Sequence, residues 1–363
     1  MLIMAPGAQM ASFGTTLHSR AGWMDIAKGF GIVLVVLGHA INGLWAAGVM
    51  STTGPVSFVY FVFYTFHMPL FFLLSGMTVA GSLKRGRAAF LSGKLLSLGH
   101  PYLVWSIIQG LSAATVSNSL NSPFKMDYLY AIYYQPIGHF WFLYALMMLH
   151  LVAAASNMRQ SVLIAGSLIA LAMHSHLPGL IGMAAYHLCF YAGGILLSDA
   201  RVQIARHWQS HGGGTWDRKS VVCTGIAAIC ASALAAGLVG PWSGWQYMSV
   251  YVMPSTLLGL AGIVMISQMP PHWTAAKVAA YLGQMSLPIY VMHVMACAGT
   301  RIALVKLGVT QSPALLLLLT LLAGVILPLA ATALFRRAGV AELLGLQPLR
   351  RSGATAGLAQ HGG

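Results

Sequence analysis

Charged residues are so scarce in this sequence that a water-soluble fold is excluded. Of 363 residues, 19 are Lys or Arg and only 5 are Asp or Glu, so charged residues make up 7% of the chain. Soluble domains carry about 25%. Apolar residues make up 58%, and the mean hydropathy is +0.77. So few charges cannot cover that much apolar surface, and the sequence therefore predicts an all-α, polytopic integral membrane bundle.

Ten apolar segments are long enough to cross the hydrocarbon core of a bilayer, which takes about 20 residues of helix. These segments are 26–47, 56–80, 98–117, 138–156, 161–178, 180–198, 220–239, 246–268, 278–298 and 312–334. We therefore expect about ten transmembrane helices. The remaining segments between them are too short to form a separate soluble domain.

The basic residues predict the orientation of the bundle. Sixteen of the 19 fall on one side of the ten-helix arrangement. They are Arg20, Lys28, Lys84, Arg85, Arg87, Lys94, Arg159, Arg201, Arg206, Arg218, Lys219, Lys277, Arg336, Arg337, Arg350 and Arg351. The other side holds Lys125, Arg301 and Lys306. Because Lys and Arg concentrate in cytoplasmic loops, we expect both termini in the cytoplasm and a multi-pass protein of the inner (plasma) membrane.

One membrane domain, residues 25–335, is expected to fill most of the chain. It is flanked by a cytoplasmic N-terminal segment, 1–24, and by a Gly/Ala-rich cytoplasmic tail, 336–363, expected to be disordered. The net charge of +14 reflects missing acids rather than a basic stripe, so no nucleic-acid partner is expected. The four cysteines have neither metal-site nor disulfide spacing, and no metal is expected.

Histidine is the ionisable residue that recurs within the predicted spans. Ionisable side chains inside a bilayer are costly unless they are paired or functional, which makes them the first candidates for a site. The spans contain His39, His67, His150, His187 and His293. At 1.5 Å of rise per residue, the first, second and last of these are expected in one slice of the bundle.

The first span contains the clearest pattern. Lys28 and His39 are eleven residues apart, so they lie on one face of a helix about 16 Å apart along its axis. A neutral imidazole can take a proton from a hydroxyl group, and Lys28 can attract a phosphate or carboxylate. The alternative is structural: Lys28 reaches the headgroups and pairs with Asp25, and His39 only bonds a neighbouring helix.

The densest basic segment follows the second span and contains Lys84, Arg85, Arg87 and Lys94. It has two interpretations. In the first, the segment sets the membrane topology and attracts anionic membrane lipid; in the second, it binds the phosphates of a nucleotide-like donor. The chain has no Walker or GxGxxG motif, so nothing supports a reaction driven by ATP or NAD.

Five short motifs follow one another along the chain. They are Asp25–Gly29 with Leu37–His39, Phe66–Phe72 with Ser75–Gly76, Pro101–Trp105, Phe140–Leu143 and Leu287–His293. In this order they resemble the acyltransferase family 3 membrane proteins, especially the fucose 4-O-acetylase-like subgroup. The resemblance covers roughly residues 20–335. It implies an O-acyltransferase that moves an acyl group, mostly acetyl, from cytoplasmic acyl-CoA to a carbohydrate or lipid-linked glycan acceptor.

The family's signature is an arginine, ten residues and a histidine on the first helix. Here Lys28 stands in the arginine position and His39 in the histidine position. Lysine lacks the planar fork of arginine, so a bidentate contact is lost. The resemblance implies that His39 is a general base toward the acceptor hydroxyl, or alternatively forms an acyl-histidine relay.

The other candidate residues follow from the same hypothesis. The basic segment would hold the CoA phosphates as the cofactor-binding part of the site. His67 and His293 would orient the acceptor or stabilise developing negative charge. Trp141 lies near the predicted outer interface, where we favour an aromatic-belt role over stacking on a sugar ring.

Two other functions stay open. A proton-coupled transporter would suit ten helices with buried histidines, although the five acids all fall at span ends or in loops. A non-enzymatic membrane partner of a polysaccharide export machine would tolerate loss of His39. The acceptor, the acyl group, the side of transfer and a homo-oligomeric state are not readable from the sequence.

Overall fold

The computed structural model of the protein describes residues 22–115, 126–210, 217–309 and 312–347, with side chains for all of these except 199–210. Within these ranges every regular element is a helix, which confirms the predicted all-α class. The predicted N-terminal segment 1–24 and tail 336–363 lie largely outside the described residues. Those two predictions stay untested.

Thirteen α-helices build the described part of the chain. In order they are α1 Gly22–Ala46, α2 Pro55–Leu83, α3 Arg87–Lys94, α4 His100–Thr115, α5 Asp127–Ala131, α6 Trp141–Ala155, α7 Gln160–Met173, α8 Gly179–Ser210, α9 Arg218–Val239, α10 Met253–Ile266, α11 Thr274–Gln284, α12 Ser286–Lys306 and α13 Pro313–Arg337. A π-helical turn, Leu95–Gly99, joins α3 to α4, and a 3-10 turn, Gly138–Phe140, leads into α6.

Seven helical segments are long and apolar enough to cross a membrane. Among the described residues these are α1, α2, the 138–155 segment, residues 179–198 of α8, α9, α12 and α13. Helices also lie at the other predicted spans, but α4 has 16 residues and α7 and α10 have 14 each. The protein is therefore a polytopic membrane bundle. The count of ten spans and the cytoplasmic termini stay predictions.

The predicted span 278–298 is wrong in its boundaries. The structure places two helices there, α11 and α12, separated at Met285. Pro288 falls in the first turn of α12, where a missing backbone N–H breaks no helical hydrogen bond. The later start carries α12 on to Lys306. Arg301, predicted in an outer loop, is therefore a buried residue within this helix.

Close backbone contacts hold α1 and α2 in the middle of the bundle. A Cβ atom at Gly29 of α1 would overlap the carbonyl oxygen of Ala279 in α11, and one at Gly76 of α2 would overlap that of Tyr191 in α8. Helices in membranes associate through such small residues, because lipid provides no hydrophobic drive for their association. α1 also packs against α2, α12 and α13, so its functional candidates lie inside the protein.

Candidate functional site

A cavity of about 290 Å³ lies between α1, α2, α6, α8 and α12. We call it the histidine cavity. Its polar wall is made of imidazole, phenol, indole and amide groups, contributed by His39, Asn42, Tyr60, Tyr64, His67, His139, Trp141, Tyr186, His187, Tyr247 and Tyr290. Pockets that bind small molecules are typically mostly apolar, with a few polar groups that fix orientation. This wall offers many groups for hydrogen bonding and proton transfer.

Three histidines from three elements meet at one side of this cavity. The ring centre of His39 lies 4.9 Å from that of His293 and 5.7 Å from that of His139. The His139 and His293 ring centres are 5.0 Å apart. All three pairs meet edge to face, with interplanar angles of 60° to 73°. The structure thus brings together His39 and His293, which the sequence places at one depth.

Backbone contacts fix which nitrogen of His293 carries its proton. Nδ1 lies 2.7 Å from the Tyr290 carbonyl oxygen and 3.2 Å from that of Ile289. A carbonyl can only accept, so Nδ1 donates and Nε2 keeps a lone pair in the neutral ring. Within the described part of the chain, Nε2 of His293 and Nε2 of His139 are buried without a hydrogen-bond partner. Such groups need an explanation, and a proton-transfer role supplies one.

His67 and His187, which also line the histidine cavity, have the same arrangement. Nδ1 of His67 lies 2.9 Å from the Phe63 carbonyl oxygen, and Nδ1 of His187 lies 2.7 Å from that of Met183. Each ring therefore keeps Nε2 as an acceptor. Pro69 follows His67 in α2 and frees the Thr65 carbonyl, which accepts a hydrogen bond from the Thr256 hydroxyl at 3.0 Å. The carbonyl group that the proline leaves without a helical hydrogen bond is thus bonded by a neighbouring helix.

A second cavity of about 170 Å³ continues from the histidine cavity toward the start of α1. We call it the lysine cavity, because Lys28 lines it. The two cavities share Val35, Met68 and Tyr290 as lining residues, so they adjoin each other inside the bundle. Lys28 Nζ lies 3.3 Å from Asp25 Oδ1, the pairing anticipated in the structural alternative, and its side chain keeps 35% exposure.

The basic segment lies at the same end of the bundle as Lys28. Lys84, Arg85 and Arg87 are exposed. Lys94 is partly buried, with Nζ 5.7 Å from the centre of the Phe90 ring. Burial lowers the pKa of Lys94, and so do the positive charges of Arg85 and Lys28. The segment and Lys28 therefore belong to one electropositive region.

The fold adds residues to the histidine cavity that the sequence did not place there. Trp141 lines this cavity with its ring centre 5.4 Å from that of His187, and the aromatic-belt role favoured from the sequence stays a prediction. His139 was missed altogether. It lies in the first turn of the predicted span 138–156, next to the Phe140–Leu143 motif, and that position was the available signal. Tyr247 was missed because it lies in a loop.

Metal binding finds no support in the arrangement of side chains. Within residues 22–115, 126–198, 217–309 and 312–347, no group of three or more His, Cys, Asp or Glu residues is placed to hold a metal ion. The histidines instead face one another or the cavity through single nitrogens. The arrangement suits acceptance and transfer of a proton.

Comparisons with known proteins add an independent line of evidence. A family model described as "Acyltransferase domain" matches residues 21–333. The nodulation protein NolL of Sinorhizobium fredii is 24% identical over 240 residues, which is 62% of this chain and 60% of that protein. NolL of Mesorhizobium japonicum is 28% identical over 294 residues, 74% of each chain. The chain thus spans less than two thirds of the first relative. No solved structure matches it.

Proposed function

This chain belongs to the acyltransferase family whose model matches residues 21–333, and we propose that it moves an acetyl group from cytoplasmic acetyl-CoA to a hydroxyl group of a carbohydrate acceptor. The family membership confirms the resemblance read from the five motifs. The fucose 4-O-acetylase-like subgroup stays a prediction. The proposal places the protein in the inner membrane, with a glycan or lipid-linked glycan as acceptor.

The two adjoining cavities between Lys28 and His39 are the observation that carries this proposal. The lysine cavity is lined by Lys28 and by apolar side chains such as Val35, Met68 and Phe142, and it adjoins the cavity that His39 lines. Lys28 and His39 lie about 16 Å apart along α1. Acyl-CoA has the matching form: phosphates at one end, a long uncharged pantetheine arm, and the reactive thioester at the other end.

The reaction follows from this placement. A ring nitrogen of His39 takes the proton of the acceptor hydroxyl as its oxygen attacks the thioester carbonyl carbon. A C–O bond forms, the C–S bond breaks, and the CoA sulfur takes the proton back from the imidazolium. The products are the O-acetyl ester and CoA with a free thiol. Holding both substrates in the two adjoining cavities supplies the orientation that this attack needs.

His293 is assigned a role toward His39 rather than toward the developing oxyanion. Its Nδ1–H is committed to backbone carbonyls, so the free Nε2 can accept a hydrogen bond from protonated His39 but cannot donate one in the neutral ring. Nε2 of His139 is available for the same purpose. The donor for the oxyanion is the indole N–H of Trp141, which lines the cavity.

The electropositive region is proposed to bind the CoA phosphates. Lys28 lines the lysine cavity, and Lys94, whose pKa is lowered by burial and by nearby positive charge, is stabilised in its charged form by a dianionic partner. Lys84, Arg85 and Arg87 are exposed and can adapt to the nucleotide end of the donor. In this proposal the exposed residues contribute less to donor affinity than the half-buried ones, because water screens their charge.

An acyl-transfer assay with the purified full chain in nanodiscs tests the proposal. The substrates are [¹⁴C]acetyl-CoA and a lipid-linked glycan extract, and the product is labelled glycan. The wild type is expected to transfer label and His39→Ala to lose at least 100-fold in rate, as removal of a general base does. His272→Ala serves as the matched control, because His272 is exposed and lines neither cavity.

Three outcomes separate the alternatives. Transfer by His39→Ala at the wild-type rate would contradict the role of His39. An acetyl adduct on His39, detected by mass spectrometry of protein mixed with acetyl-CoA alone, would establish the relay in place of general base catalysis. Glycan uptake into vesicles without acetyl-CoA, together with no labelled product, would favour the transporter.

A further inference from the structure

The end of the histidine cavity opposite Lys28 has a polar network of its own. Asn42 Nδ2 donates to the hydroxyl oxygen of Tyr60 at 2.8 Å and to that of Tyr64 at 3.2 Å. The two rings stack with centres 3.8 Å apart. The two hydroxyl groups also hydrogen-bond each other, which uses one of their two protons, so one hydroxyl proton is left to be donated. The network thus presents one fixed hydroxyl donor to whatever enters the cavity from this end.

A loop between α9 and α10 closes over the same end. Trp245, at φ +59°, packs with its ring centre 5.1 Å from that of Phe61, and the Met248 carbonyl oxygen lies 3.2 Å from Nε2 of His174. Between these two anchors, Tyr247 reaches the cavity with its ring centre 4.9 Å from that of Tyr64. The anchors explain why a loop residue is held in the wall of a buried site.

The described lining of the histidine cavity contains no Lys, Arg, Asp or Glu. Arg301, the buried cation of α12, packs against Gly43 and is not part of this lining. A charged ligand group placed there would lose its hydration without gaining a counter-charge. The wall offers aromatic rings and hydroxyl donors instead, and at about 290 Å³ the space suits one small ring.

We propose that this end of the cavity is the acceptor site and that it takes one uncharged sugar ring, held by Asn42, Tyr64 and Tyr247. The proposal rests on the proposed acyltransferase function and adds its acceptor class. A sugar hydroxyl then reaches His39 from the end opposite the donor, so the two substrates enter from opposite ends of the two adjoining cavities. Sugars that bear a phosphate or a carboxylate on the bound ring are excluded.

Saturation-transfer NMR on the full chain in nanodiscs tests this site without requiring activity. The neutral probes are the methyl glycosides of glucose, N-acetylglucosamine and fucose, and the charged probe is methyl glucuronide. At least one neutral glycoside is expected to bind at least tenfold more tightly than the glucuronide. Tyr247→Phe is expected to weaken that binding roughly three- to tenfold through one lost hydrogen bond, and Tyr247→Ala more strongly.

Tyr251→Phe is the matched control, because Tyr251 is an exposed tyrosine four residues further along that lines no part of the cavity. It should bind the glycoside like the wild type. Binding of none of the neutral probes, preference for the glucuronide, or unchanged binding by both Tyr247 variants would overturn the proposal. Labelled transfer from acetyl-CoA is measured separately. Glycoside binding without any transfer would refute only the proposed transferase activity. Transfer by the wild type, together with unchanged glycoside binding by both Tyr247 variants, would refute only the proposed acceptor site.

Discussion

Replacing Lys28 with methionine should weaken the use of acyl-CoA while leaving the chemical step intact. Lys28 lines the lysine cavity, and its side chain is 35% exposed. A hydrogen bond to a charged group contributes about 1.5–3 kcal/mol, and partial exposure places Lys28 at the lower end of that range. Since 1.4 kcal/mol corresponds to tenfold, we expect KM for acetyl-CoA to rise roughly tenfold with kcat changed less than twofold.

Two further variants make this prediction specific. Lys28→Arg keeps the charge and should keep KM within a few-fold of the wild type. Lys277→Met removes an exposed lysine from α11 that lines neither cavity, and it should have no effect. Initial rates at varied acetyl-CoA and fixed glycan give KM and kcat. An unchanged KM for acetyl-CoA in Lys28→Met, or a rise in the acceptor KM instead, would refute the placement of the donor in the lysine cavity.

Three other predictions concern the site and the fold. His139→Ala should lower kcat on the order of tenfold, because the proposed hydrogen bond from protonated His39 to His139 Nε2 can no longer form, with KM for acetyl-CoA unchanged in steady-state assays. Gly29→Ala forces α1 away from Ala279 and should cost about 1–3 kcal/mol, seen as a lower Tm in nanodiscs, whereas Gly81→Ala meets open space and should not. Asp217 caps α9 by accepting from the backbone N–H groups of Lys219 and Ser220, which lowers its pKa. Asp217→Ala should therefore lower Tm at neutral pH, and a Tm series should show the difference vanish as pH falls through that lowered pKa.

Apolar run length was a good guide to the helices because it reports a physical requirement of the bilayer. It failed where one continuous apolar run contains the end of one helix and the start of the next. The residues on both sides of Met285 are similarly apolar, and Pro288 is tolerated in a first turn, so hydropathy alone could not separate α11 from α12. The consequence was local: Arg301 moved from a predicted loop into a buried helical position.

The site was predictable in part for a related reason. His39, His67 and His293 could be selected because an ionisable side chain inside a membrane is exceptional wherever it occurs. Tyr247 carries no such mark, and His139 lies only at the very start of a predicted span. Their importance depends on contacts with α1, α2 and α12, elements distant in the sequence, and only the folded chain shows the 5.7 Å separation of the His39 and His139 rings.

Measuring the O-acetyl content of cell-surface and lipid-linked glycans tests whether this protein transfers O-acetyl groups and whether His39 is required for the transfer. A deletion strain would carry either the wild-type gene or His39→Ala, with equal amounts of protein in the membrane. We expect acetylated glycans in the strain with the wild-type gene. With His39→Ala, we expect the glycan O-acetyl content to be as low as in the deletion strain. Equal acetylation with the wild type and His39→Ala would contradict the assignment of His39, and equal acetylation in the deletion strain as well would contradict O-acetyl transfer to these glycans.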